Sequence, residues 1–159
     1  MFFPSEIKSI IFGYCGFDTE IVVKLLKEGL DTKYIDLSYN NNELIKYASK
    51  HGHVEIVNLL LDDSRVDPSD DENYAIRWAS KNGHVEIVNL LLDDRRVDPS
   101  DDENYAIQLA SEYGHDKVVK LLLSDSWVDP SAENNYAIKH ASENGHVEVV
   151  KLLLDDSRV

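Results

Sequence analysis

Apolar residues return along this chain at a fixed step. The triplet Leu59-Leu60-Leu61 recurs at 90, 121 and 152. Asn-Tyr-Ala-Ile begins at Asn73, Asn104 and Asn135, and Ala-Ser at Ala48, Ala79, Ala110 and Ala141. Gly-His pairs start at Gly52, Gly83, Gly114 and Gly145, and Val-Asp-Pro-Ser at Val66, Val97 and Val128. Each series steps by 31 residues, and a step of that size is the mark of stacked repeats.

Inside one block, 73–103, the pattern predicts two short helices and a connector. Ile76, Ala79 and Ser80 fall at i, i+3 and i+4, a face of small residues that lets a neighbouring helix come close. Ile87, Val88, Leu90, Leu91 and Leu92 make the second helix apolar around most of its circumference, so it must be covered on more than one side. Gly83 divides the two helices, since a left-handed backbone costs glycine little. Asp98-Pro99 ends the regular structure, because proline lacks an N–H and restricts the residue before it. Asn73, Asn104 and Asn135 are predicted N-caps, each side-chain oxygen accepting an orphan N–H of the first turn. Helices this short do not stand alone in water, where about 12–15 residues are needed even for marginal stability. Burying each Leu or Ile contributes roughly 1.5–3 kcal/mol, and only the next block provides that burial. The expected fold is an all-α solenoid whose stability is a sum over units and their interfaces.

The stretch Ala-Ser-x-x-Gly-His-x-x-Val-Val-x-Leu-Leu-Leu, from Ala141 to Leu154, resembles the heart of the ankyrin repeat. The resemblance covers units 42–72, 73–103, 104–134 and 135–159, the last without its connector. It implies one domain, residues 1–159, of five stacked helix-turn-helix pairs with short hairpin-like connectors. Residues 1–41 form a degenerate N-terminal cap unit: Ile7, Ile10, Ile11 and Tyr14 make a helical stripe, and Glu20 to Leu26 mimics a second helix. Two departures stand out. Tyr74, Ala75, Ile76 and Arg77 replace the family's Thr-Pro-Leu-His, as do the residues at 105–108 and 136–139. The unit is also shorter than the common length of about 33 residues, which predicts a tighter connector. This shortened variant resembles repeats encoded by large DNA viruses of amoebae.

Function follows from the same likeness. Ankyrin proteins resemble one another in binding partners on a concave groove lined by the first helices and connector tips. In this chain the first-helix stripe varies most between copies: Lys46, Tyr47, Lys50 and His51; Arg77, Trp78, Lys81 and Asn82; Gln108, Leu109, Glu112 and Tyr113; Lys139, His140, Glu143 and Asn144. A protein-binding groove, basic in its N-terminal half and acidic in its C-terminal half, is expected. Tyr47, Trp78 and Tyr113 are of the type enriched at binding hot spots. Packing of Tyr47 and Trp78 between units is the competing reading, and packing is favoured for Tyr74, Tyr105 and Tyr136. The tips carry Asp70, Asp71 and Glu72, then Asp101, Asp102 and Glu103, with Glu133 in the third. They either steer a basic partner or form a solvated edge.

Composition narrows the classes further. The 159 residues include 30 acidic and 16 basic ones, a formal net charge of −14. That balance disfavours nucleic acid, whose affinity rests on Lys and Arg at phosphates, and anionic membrane surfaces. Cys15 is the one cysteine, so no intrachain disulfide or thiolate zinc cluster is expected. A reducing compartment follows: cytoplasm, a host's if the chain is viral, or nucleus. The N-terminus lacks the basic opening of a signal peptide, and no apolar run nears the ~20 residues of a membrane span. The carboxylates of 67–73 lack the mid-loop Gly and closing Glu of a calcium hand. The Gly-His histidines belong to separate units, and His51 with His53 supplies too few zinc ligands. No nucleophile, acid–base or phosphate-loop motif is present. A non-catalytic protein without cofactor or metal is expected.

Two other readings compete with the simple scaffold. Phe3-Pro4-Ser5-Glu6-Ile7 followed by Ile10-Ile11-Phe12 resembles the opening of an F-box. It implies a substrate adaptor that docks a ubiquitin-ligase scaffold through residues 1–16, against the plainer reading as a cap. His146 to Val159 nearly copies the internal units and has no polar cap. That end suits a fragment of a longer array or a self-associating structural array.

Overall fold

The computed structural model describes residues 19–29, 31–32 and 35–159. Among the described residues the regular structure is all helical: α1 (Thr19–Lys27), α2 (Tyr39–Lys50), α3 (Val54–Leu61), α4 (Asp70–Lys81), α5 (Val85–Leu92), α6 (Asp101–Glu112), α7 (Asp116–Leu123), α8 (Ala132–Glu143) and α9 (Val147–Asp155). The first helices α2, α4, α6 and α8 pack side by side, and α3, α5, α7 and α9 form a second row behind them. This is the expected solenoid. Four complete pairs are described, preceded by α1. The stripe of Ile7, Ile10, Ile11 and Tyr14, Cys15 and the F-box-like opening lie outside the described residues.

The core lies between the two rows. Ile45, Ile76 and Ile107 enter it from the first helices, and Leu60, Leu91, Leu122 and Leu153 from the second. Ala48, Ala79, Ala110 and Ala141 are fully buried where adjacent helices come closest. The small-residue face read from the sequence is therefore the contact between units.

Each helix pair turns on glycine. Gly83 has φ 70, and the turn closes as His84 N–H donates to Ala79 C=O (2.9 Å) and Gly83 N–H to Ser80 C=O (3.2 Å). This is the two-bond pattern that satisfies the last carbonyls of a helix. The histidine that follows bonds backward across the interface. Nε2–H of His84 donates to Lys50 C=O (3.0 Å), that of His115 to Lys81 C=O (2.8 Å) and that of His146 to Glu112 C=O (2.9 Å).

The asparagines are not N-caps. Asp71, Glu72 and Asn73 all have left-handed backbone (φ 58, 54 and 55), closed by Asn73 N–H donating to Ser69 C=O at 2.9 Å. The right-handed helix begins after them. In that conformation the Asn73 side chain reaches the next unit: Oδ1 accepts Asp98 N–H (2.9 Å) and Nδ2 donates to the Asp101 carboxylate (2.7 Å). Asn42 bonds Asp67 N–H and Asp70 in the same way, both at 2.8 Å. Asn104 keeps the bond to Asp129 N–H (2.6 Å), but Ala132 stands where the second partner would be. Non-Gly left-handed residues cost on the order of 1 kcal/mol each and persist where their surroundings hold them. All four runs are closed by the same backbone bond, Asn42, Asn73, Asn104 and Asn135 N–H donating to Ser38, Ser69, Ser100 and Ser131 C=O, and the inter-unit bonds add to it where a next unit follows.

The connectors contain no strand among the described residues. Asp67 Oδ1 accepts both N–H (2.9 Å) and Oγ–H (2.6 Å) of Ser69, and Asp36, Asp98 and Asp129 repeat the motif. Arginines lock one connector to the one before. Arg96 is forked onto Asp94 (2.9 and 2.5 Å) and donates to Val66 C=O and Leu61 C=O, both at 2.8 Å. Arg65 does the same from Asp63 to Ile35 C=O (3.2 Å) and Thr32 C=O (3.3 Å), and Arg158 from Asp156 to Val128 C=O (2.8 Å) and Leu123 C=O (2.7 Å). At the remaining junction the arginine position is Trp127.

Candidate partner-binding face

The exposed stripe of the first helices is organised around Trp78. The ring is half-buried and stacks on Tyr74, one helical turn earlier, with centroids 5.4 Å apart. Lys50 Nζ from α2 and Lys81 Nζ from α4 each lie 4.5 Å from the Trp78 centroid. Lys81 Nζ is also 5.0 Å from the ring of Tyr113, which is 47% exposed. An ammonium over an aromatic face is attracted by its negative quadrupole, by about 0.5–1 kcal/mol at exposed sites. The result is a ladder of alternating cation and ring across three units.

Flanking aromatics pack along the helix instead. Tyr47 lies 4.2 Å from His51, and Tyr136 lies 3.9 Å from His140 while its hydroxyl donates to Glu112 at 3.3 Å. Burial, then the Glu112 carboxylate, pushes the Tyr136 hydroxyl pKa up; burial, then Glu43 and Asp71, does so for Tyr74. Tyr105 is 38% exposed.

Several stripe residues face inward. Lys46 is buried and paired with Asp70 (3.9 Å) and Asp71 (3.6 Å). Gln108 is buried and donates to Glu103 C=O at 2.7 Å, and Leu109 is buried beside it. The Arg77 side chain is 12% exposed, ion-paired to Asp102 and bonded to Asp71 C=O at 2.7 Å. These four are turned into the fold, although Arg77 Nε is buried without a hydrogen-bond partner. The stripe period used for the sequence reading gives the helix face but not how far a neighbouring unit overhangs it. Lys50, His51, Lys81, Asn82, Glu112, Tyr113, Lys139, His140, Glu143 and Asn144 are half-buried or exposed.

The charge asymmetry is accordingly reduced. In the N-terminal half Lys50 and Lys81 face the groove around Trp78. In the C-terminal half Glu112 and Glu143 alternate with Lys139 and His140, and His140 Nδ1 pairs with Glu143 at 3.1 Å. At the tips, Asp70 and Asp101 are engaged by Asn42 and Asn73, while Asp71 and Glu72 keep side chains 59% and 68% exposed. Glu133 beside Glu103 raises the pKa of the Glu103 carboxyl, like charges opposing each other's ionisation.

Trp127, 63% exposed on a connector, was not among the expected contacts. Its signal was legible as a break in an otherwise regular arginine column. Among the described residues no group of three or more His, Cys, Asp or Glu is placed to hold a metal ion. No described helix is long and apolar enough to cross a membrane.

No curated protein matches this chain. A family model described as ankyrin repeats (3 copies) matches it twice, over residues 13–102 and 76–159. Those two overlapping matches and the two stacked rows of short helices agree, and the chain belongs to the ankyrin repeat family.

Proposed function

We infer that this chain is a non-catalytic scaffold that binds a protein partner through the exposed face of its first helices, with the connector tips alongside. Ankyrin repeats are generally protein–protein interaction modules. The observation that carries the reading is the ladder Lys50, Trp78, Lys81, Tyr113. Its members are held by one another before any partner arrives, so binding carries a small ordering cost. A matching segment brings carboxylates to Lys50 and Lys81 and a flat apolar group to Tyr113. The exposed Asp71 and Glu72 favour partners with basic residues beyond that segment. The likeness to repeats of amoebal viruses would put that partner in a host cytoplasm.

Affinity capture followed by mass spectrometry, with wild type and Trp78→Ala, tests this. Loss of the captured partner at a near-unchanged melting temperature supports a contact role. A collapse in stability would mean that Trp78 is packing, and the reading would fail at its centre. Association slowed by added salt supports steering by the tips. A second reading, self-association, draws on Val147 and Leu154 of α9, which are 60% and 67% exposed. Light scattering that finds a clean monomer at high concentration counts against it.

A further inference from the structure

Three connectors hold a guanidinium in the same way, and one does not. Arg65, Arg96 and Arg158 each fork onto the aspartate two residues earlier. Arg96 and Arg158 then donate to carbonyls 30 and 35 residues back, and Arg65 to one 30 residues back. At the junction between units 73–103 and 104–134 the aspartate is kept as Asp125, but Trp127 replaces the arginine. The corresponding carbonyls are Val97 C=O and Leu92 C=O. Between them lies a pocket of about 470 Å³ lined by Leu92, Val97, Asp125 and Trp127.

We propose that this pocket is a binding site for an arginine side chain of a protein partner. The chain itself supplies the template. Two carbonyls and a carboxylate arranged to take the fork of a guanidinium are filled at the other junctions, and here they face an open pocket. Asp125 has its backbone geometry set, since one oxygen accepts Trp127 N–H at 2.8 Å. A carboxylate on an incoming guanidinium makes bidentate, charge-assisted bonds that a lysine ammonium does not reproduce. Trp127 adds a ring on which a planar cation stacks. Three neighbouring charges bear on the pocket: Asp94 is neutralised by its own Arg96 at 2.5 Å, Arg95 on the rim opposes an incoming cation, and Arg158 donates to Asp125 C=O at 3.3 Å while its fork is taken by Asp156. The pocket sits on the connector edge, apart from the Trp78 ladder, so its failure leaves the scaffold reading standing.

The test uses the whole chain and two probes, N-acetyl-arginine amide and N-acetyl-lysine amide, followed by the Trp127 indole N–H resonance. The arginine probe is expected to shift that resonance saturably, with the lysine probe weaker by about tenfold or more, the loss expected for charge-assisted bonds. Asp125→Asn is expected to weaken the arginine probe and Arg95→Ser to tighten it. Trp127→Arg restores the internal pattern. It is expected to raise the melting temperature by about 2–4 °C and, with the reporter indole gone, to show no heat of arginine-probe binding by titration calorimetry where the wild type does. No saturable shift, equal affinity for lysine, or a Trp127→Arg chain no more stable than wild type overturns the proposal. So does a loss of stability in Arg95→Ser, which would mean that Arg95 fills the site itself.

Discussion

The imidazole of His115 occupies the space that a side chain on Gly83 would need: a Cβ built there lies 2.6 Å from His115 Nδ1. Gly145 has the same left-handed backbone (φ 76), yet nothing stands within 4 Å of its Cβ position. The two glycines thus separate backbone strain from inter-unit packing. Gly145→Ala is expected to lose about 1 kcal/mol, the left-handed penalty alone. Gly83→Ala is expected to lose clearly more, because the ring that donates to Lys81 C=O must move. Urea titration of both variants measures the difference, and equal losses would show that the ring yields freely.

The asparagine staple makes a similar pair. Asn73 is 3% exposed and holds a backbone N–H and a carboxylate of the next unit, whereas Asn135 is exposed. Asn73→Ala leaves the half-buried Asp98 N–H without its acceptor, at about 1 kcal/mol or more. Asn135→Ala is expected to be near neutral. If instead the asparagines act as helix caps, the two substitutions will cost the same.

Ser49, Ser80 and Ser111 each bury a hydroxyl that has no hydrogen-bond partner. An unsatisfied buried hydroxyl costs about 1–3 kcal/mol of desolvation. Ser80→Ala is therefore expected to leave stability unchanged or raise it, as read by thermal melting. A drop of the usual size for a buried deletion would mean that the hydroxyl bonds a carbonyl of its own helix in solution.

The arginine clamps carry a pH signature. Asp63 is held down to about 2 by the side-chain and backbone hydrogen bonds of Arg65, and Asp156 to about 2, chiefly by the side-chain bond of Arg158. A carboxyl whose folded pKa is depressed contributes stability that is complete above its unfolded value and is lost as pH falls toward the folded one. Stability is expected to decline between roughly pH 4 and 2 through these groups, starting from the ordinary aspartate value near 3.9. In Arg65→Gln the Asp63 carboxyl should titrate near its ordinary value in carbon-detected NMR. An Asp63 midpoint already near 3.9 in the wild type would show that the clamp is not formed in solution.

The glycine turns and the buried small-residue face were legible because each depends on residue type at a fixed offset. Ala79 and Gly83 have one conformational use at those places, and the copies repeat it. The candidate face was legible only as a stripe. Lys46 and Gln108 fall on it by helical period, yet both are buried, Lys46 paired with carboxylates of the next unit and Gln108 bonded to Glu103 C=O of its own helix. Trp78 and Lys50 come from different units, so their approach is set by the stacking distance between α2 and α4.

From the residues alone came the two-helix plan, the need to stack and the acidic balance, all of which follow from local pattern and composition. The tertiary structure decided what Asn73 bonds to, which lysines reach solvent and that Trp127 stands over an arginine's place. Those depend on contacts between residues about one repeat apart, and a one-dimensional pattern marks such residues as equivalent without saying which of them touch.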